Sequence, residues 1–360
     1  MKAEIQLMTH YLTTTQSSIE QLLGRYDEIV QKLQSVEVKP TTRFYFIGNG
    51  SSGQGVRIAA YFALKLFNQS PLCITPFQFT HYTHNVVKED DIVIAISQSG
   101  TSHQVVESIR LANQVKATTI AISATEGSPV VLNADVSIVV PECIEKVGYK
   151  VTGVIGLLYT MWIVLIGIAY QNKGLSEAEV KQYHRHFKHL NQQYDIKANQ
   201  ASEWTTNNIE LLDSYKTLTV LGSGTLTEAA MELAVKVIEV ENRFVVALDT
   251  EEFLHGVCAT DPKDNLIIML VDEDSYEFSK KVYDAIKQLG QSVIWIGTKA
   301  TEGDLLLDVD ESDEFIVTQF LPAVHAMVIK WAQLKDYGDY GSTVFKFYQQ
   351  ELKVRENHSE

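Results

Sequence analysis

The 360 residues suffice for about two domains of ordinary size, and 45% hydrophobic with 21% charged residues excludes a disordered, collagen-like or disulfide-framework chain. Lys and Arg number 30 against 45 Asp and Glu; the net charge of −15 repels a phosphodiester backbone and no local basic patch offsets it, so no nucleic-acid partner is expected. Cys73, Cys143 and Cys258 stand far apart without CxxC spacing, which argues against a zinc knuckle and fits a reducing compartment.

The N-terminal stretch MKAEIQLMTHYLTTTQSSIEQLL lacks the long apolar run of a signal peptide, and its spaced Ile and Leu predict an amphipathic helix. Further on, continuous β-branched runs separated by helical patterns predict parallel strands covered on both faces. These runs repeat. Ile47-Gly48-Asn49-Gly50 returns as Leu221-Gly222-Ser223-Gly224, Ile92–Ile96 as Leu266–Leu270, and Thr119–Ser123 as Val293–Gly297, each 174 residues on. A fourth run, Val136–Val140, is matched more loosely near Phe315–Val317.

The expected fold is therefore α/β, with two tandem doubly wound parallel-sheet domains flanked by an N-terminal helix and a C-terminal tail. Residues 1–174 hold the helix and the first domain. Residues 175–202, polar and rich in Lys, His, Gln and Asn, read as a connecting surface helix, and 203–360 hold the second domain and the tail. Val151–Gln171 carries no charge and is long enough to span a membrane. Its three glycines, Thr152 and Thr160, and the strand and helix pattern that follows, favour a buried core helix, and no membrane association is expected.

A phosphate group needs N–H and O–H donors at the positive end of a helix and little bulk around them. Ser97-Gln98-Ser99-Gly100-Thr101-Ser102 offers this just past the strand Ile92–Ile96, where ligands sit in open α/β sheets. Gly48-Asn49-Gly50-Ser51-Ser52-Gly53 follows a second strand and opens a helix. Ordinary N-capping explains either turn alone; two such turns in neighbouring βα units favour binding. The equivalent of the Ser97 turn in the second half, Val271-Asp272-Glu273-Asp274, repels an anion. Gly48, Gly50 and Gly53 also spell GxGxxG, the pattern of a nicotinamide or flavin dinucleotide site. The acid that should hold the ribose is missing from Leu72–Phe79, so an NAD-dependent dehydrogenase is the weaker alternative and no cofactor is expected.

In the predicted helix Thr227–Asn242, Glu228, Glu232, Lys236 and Glu239 share one stripe. By pattern alone a solvated stripe with an i,i+4 ion pair is the simpler reading. His255, in Glu251-Glu252-Phe253-Leu254-His255-Gly256, lies in a loop after an apolar strand, and its repeat equivalent is His81. A histidine so placed is more often a hydrogen-bonding residue than a catalyst. His184, His186 and His189 lack the companions of a zinc site, and no metal is expected.

Taken together these residues resemble the double sugar isomerase (SIS) domain family, with its flavodoxin-like sheets, and in particular the isomerase half of glucosamine-6-phosphate synthase and the fructosamine-6-phosphate deglycases. The resemblance runs over nearly the whole chain and is most specific at Ile96-Ser97-Gln98-Ser99-Gly100. It implies that Ser51, Ser52, Ser97, Gln98, Ser99 and Ser102 bind a substrate phosphate; Gly50, Glu232 and Thr152 are further candidate site residues, without an assigned role. Met231–Glu239 looks like the synthase's catalytic helix, which makes Lys236 and Glu239 the catalytic pair. His255 then corresponds to a ring-opening histidine that reaches the other subunit's active site in a homodimer. Lys346 falls near a tail lysine that engages the open-chain sugar, although its flanking residues differ.

There are two departures from the synthase. Met1-Lys2-Ala3 leads directly into the isomerase-like region, so glutamine hydrolysis is not expected of this chain alone. Glu145–Gly153 is closer to the deglycase-like relatives. The resulting expectation is a cytoplasmic, homodimeric phosphosugar isomerase or deglycase acting on an amino-sugar or amine-linked hexose 6-phosphate. The alternative of another class is a non-catalytic sugar-phosphate sensor, although only about 40 residues precede the first strand, with no helix-turn-helix among them.

Overall fold

The computed structural model describes residues 3–260, 263–301, 303–309, 313–335, 340–352 and 354–355. The chain opens with α1 (Ala3–Gly24) and α2 (Tyr26–Lys32), and then alternates strands and helices: β1 (Phe44–Ile47), α3 (Ser51–Phe67), β2 (Leu72–Ile74), the one-turn α4 (Pro76–Gln78), β3 (Ile92–Ile96), α5 (His103–Gln114), β4 (Thr118–Ser123), α6 (Pro129–Asn133), β5 (Val136–Val139) and α7 (Thr152–Gln171). After α8 (Glu177–Gln192), α9 (Tyr194–Asn207) and α10 (Ile209–Asp213) the alternation resumes with β6 (Thr217–Gly222), α11 (Thr225–Glu241), β7 (Phe244–Asp249), α12 (Thr250–Phe253), β8 (Asn265–Val271), α13 (Tyr276–Gln288), β9 (Val293–Gly297) and β10 (Leu305–Leu306). Two helices close the described chain, α14 (Val317–Lys335) and α15 (Tyr340–Glu351).

Each half forms a five-stranded, all-parallel sheet, in the order β2-β1-β3-β4-β5 for the first and β7-β6-β8-β9-β10 for the second. The orders are identical once the repeat is aligned, as the 174-residue offset predicts. Every residue of β3 and of β8 is buried, which is why both read as unbroken apolar runs. The repeat extends to the helix ends. Gly50 and Gly224 precede α3 and α11 with φ of 54° and 58°, and Asn68 and Asn242 end those helices with φ of 51° and 54°.

The chain folds as two compact units. The first-sheet unit comprises 14–146, 150–191 and 346–360, and the second-sheet unit 1–13, 147–149 and 192–345. In the first, α7 is the one helix among the described residues long and apolar enough to cross a membrane, but Thr152–Ala169 are all buried inside the fold, against α2 and α3 among others. An all-round apolar helix needs cover on every side, and here protein supplies it.

Two expectations are corrected. The segment read as one surface helix is two helices, and both bury an apolar face: Val180, Phe187 and Leu190 on α8, and Ala198, Ala201 and Trp204 on α9. His184 of α8 is a packing residue, its ring stacked 4.3 Å from that of Tyr26 and its Nε2 2.8 Å from the Leu23 carbonyl. The counterpart of β5 is β10, and Phe315–Val317 instead leads into α14. Asp313 Oδ1 accepts the Phe315 N–H at 2.9 Å and starts that helix; a short apolar run fits a buried helix start as well as a strand.

In the second-sheet unit an open cleft of about 480 Å³ is lined by Asp213, Tyr215, Glu241, Arg243 and Phe244, among others, next to the starts of β6 and β7. Glu241 is buried there, and neither carboxylate oxygen has a hydrogen-bond partner. Burial pushes its carboxyl well above the ordinary value, which Arg243 opposes and Asp213 reinforces. The folded state therefore keeps a proton that the unfolded chain has lost, and stability falls as pH rises above about 4.5. Glu241→Met is expected to stabilise the fold by about 1–3 kcal/mol at pH 7–8 and by less at pH 4, read from urea unfolding at both values. An unchanged midpoint at pH 7–8 would contradict this.

Candidate functional site

The serine turns sit where the first sheet reverses its winding. β1 and β3 are parallel neighbours, and the strand order runs outward in opposite directions from that pair. The loops after their carboxyl ends, 48–50 and 97–102, thus flank the switch point, the place where ligands bind in open α/β sheets. Ser51 and Ser52 are the first residues of α3 and are half-buried. Gly50 precedes them and supplies no side-chain cap.

The Ser97 turn is braced from behind. Ser97 N–H donates to the Ile122 carbonyl, Gly100 N–H to the Ser97 carbonyl, and Val130 N–H to the Gly100 carbonyl, each at 3.0 Å. Gly100 holds a φ of 67°, and a Cβ there would overlap the Ser128 side chain. The Ser99 and Thr101 hydroxyls lie 3.0 Å apart. Ser102 precedes α5, and its hydroxyl makes no capping bond to that helix although its carbonyl accepts from Val105 and Val106. The turn 97–102 therefore brings several hydroxyls to a helix start, where an oxyanion could be held.

Gln98 plays a different part from a free donor. Its Nε2 donates to the Cys143 carbonyl at 2.8 Å and to Glu145 Oε2 at 3.0 Å. Glu145, which sequence reasoning did not single out, is a buried carboxylate that also accepts the backbone N–H groups of Val151, Thr152 and Gly153 at 2.8–3.0 Å. It occupies the positive end of α7 and ties the Ser97 turn to that helix. Thr152 is buried, with its hydroxyl 2.8 Å from that of Thr15. In the second sheet, Asp272 after β8 turns its carboxylate to Ser275, accepting the Ser275 N–H at 3.0 Å.

The charged stripe of α11 is not solvated, and this corrects the simpler reading of it. α14 packs along α11 and covers it. The side chains of Glu232 and Lys236 are 1% and 2% exposed, and Glu239 retains 24%. Lys236 Nζ donates to Glu239 Oε2 at 2.7 Å and lies 3.5 Å from Glu232 Oε1. His325 of α14, another residue missed from sequence, places Nε2 3.0 Å from the same Glu232 oxygen. A lone histidine in the apolar run Phe320–Val328 was its only signal. Chemically the cluster is an ammonium held between two carboxylates, with Glu239 the most accessible member.

His255 is exposed in the loop after α12, its N–H donating to the Glu252 carbonyl at 3.0 Å. Lys346 is exposed on α15, within the first-sheet unit.

Residues 38–166, which carry the first sheet and its serine turns, match the SIS domain family. More particularly, the chain is 23% identical over 305 residues to a glutamine–fructose-6-phosphate aminotransferase (isomerizing) of Campylobacter jejuni, covering 83% of this chain and 48% of that protein. The chain thus spans about half the length of such relatives. Its fold is also that of the C-terminal domain of glucosamine-fructose-6-phosphate aminotransferase from Francisella tularensis, with a TM-score of 0.81, 16% identity, and 92% and 97% of the two chains covered. Tagatose-6-phosphate ketose/aldose isomerase from Escherichia coli aligns with a TM-score of 0.73 and 15% identity over 91% and 92%.

Proposed function

We propose that this chain is a phosphosugar isomerase or deglycase acting on an amino-sugar or amine-linked hexose 6-phosphate. The observation that carries the reading is the Lys236–Glu239 contact at 2.7 Å on a mostly buried helix face. A buried ion pair of this kind is a poor source of stability and a suitable acid–base device. Ser51, Ser52, Ser97, Ser99 and Ser102 take the 6-phosphate, and Gln98 anchors their turn. His255 passes the ring-oxygen proton on opening. Glu239 removes a proton from one of C1 and C2 and returns it to the other, while Lys236 stabilises the enediol or enolamine oxygen. With an amine-linked ketose phosphate, Glu239 takes the C1 proton and reprotonation at C2 leaves an imine at C1. Water adds there, and the C1–N bond breaks to release the amine and an aldose phosphate. Lys346 is assigned to the open-chain sugar.

The family resemblance further supports a cytoplasmic homodimer in which His255, exposed in a single chain, serves the partner's site. The test is proton NMR in heavy water with fructose 6-phosphate, glucosamine 6-phosphate and a fructosamine 6-phosphate in turn. Deuterium at C1 or C2 is expected, and released amine would identify the deglycase. Thermal stabilisation by these sugars without exchange would overturn the enzymatic reading in favour of a sugar-phosphate sensor.

A further inference from the structure

His325 has no exposed side-chain surface, and its Nδ1 has no hydrogen-bond partner. Beside the Lys236 ammonium, Glu232 is a carboxylate and can only accept, so Nε2 carries the proton and donates. A second proton on Nδ1 would be a buried N–H without an acceptor, a cost that the Nε2–H tautomer avoids.

The same Oε1 of Glu232 faces both His325 and Lys236, at 3.0 Å and 3.5 Å. The lysine makes its closer contact, 2.7 Å, with Glu239. Lysine is a point charge on a flexible stem and goes to the stronger acceptor within reach. We propose that His325 is a positioning residue: by donating to Glu232 it occupies the competing acceptor and leaves the Lys236 ammonium on Glu239. The inference rests on the reading of Lys236 and Glu239 as the acid–base pair. It gives a role to a buried histidine 93 residues away in sequence from the carboxylate it contacts.

His325→Leu removes the donor, and His325→Gln restores an N–H of similar reach. In the exchange assay, His325→Leu is expected to lower kcat by about 10–100-fold with KM changed less than about threefold, because a misplaced charge costs rate more than binding. His325→Gln should recover about tenfold of a full loss. Wild-type kcat in His325→Leu, or a His325→Gln variant no faster than a folded His325→Leu, would overturn the proposal. A second readout needs no turnover: nitrogen-15 NMR of the histidine-labelled full chain should show His325 as the neutral Nε2–H form. A proton on Nδ1 would sink the inference even in an active enzyme. Absence of exchange in the wild type, with the Nε2–H form observed, would instead sink the proposed function and keep the hydrogen bond.

Discussion

Glu239→Gln is expected to reduce proton exchange between C1 and C2 by about 10³-fold or more, while affinity for the sugar 6-phosphate stays within about threefold. The amide keeps the shape of the side chain and an oxygen for Lys236, which now donates at 2.7 Å, but it cannot take a proton from carbon. Glu239 is also the exposed end of the stripe, so the change leaves no ionised group stranded in the core other than those already paired behind it. Exchange followed by NMR and binding followed by calorimetry separate the two effects. Equal loss of both would make Glu239 a structural residue of α11.

Gly100→Ala acts on the other half of the proposed chemistry and carries the larger structural effect. The backbone there lies in the left-handed region, and the new methyl would overlap Ser128 behind the turn. Conformational strain and overpacking together predict a loss of about 2–5 kcal/mol in denaturant unfolding. Phosphate affinity should fall by about tenfold or more, because the hydroxyls of Ser99 and Ser102 flank the displaced residue. Gly100→Ala combined with Ser128→Gly should regain part of both, since the second change removes the two nearest colliding atoms and leaves Ser123 Oγ at 2.9 Å. A single variant that binds sugar phosphate as tightly as the wild type would show that the turn does not hold the ligand.

The sheets were legible because a buried parallel strand leaves a continuous apolar run, and three such runs sharing one spacing imply one repeated topology. The paired Asn68 and Asn242 caps lie at the same spacing and would have strengthened that reading. The environment of the stripe on α11 was not legible. Helical periodicity says which residues share a face and is silent on what covers it, and here the cover is α14, whose His325 is remote in sequence. Glu145 escaped for a related reason: its partners are the backbone donors of α7 and the side chain of Gln98, 47 residues away. The run Phe315–Val317 misled because three apolar residues fit either periodicity.

The uniformly apolar α7 also matters before folding is complete. Until it is covered, a segment of this length and composition has the dimensions and hydropathy of a membrane-spanning helix. Its packing partners α2 and α3 precede it in the chain and are already synthesised when it appears. Two of its packing partners are thus in place before it emerges, while Phe187 of α8, which stacks on Trp162, follows it, and substitutions that weaken α2 or α3 should show as mistargeting or aggregation during expression.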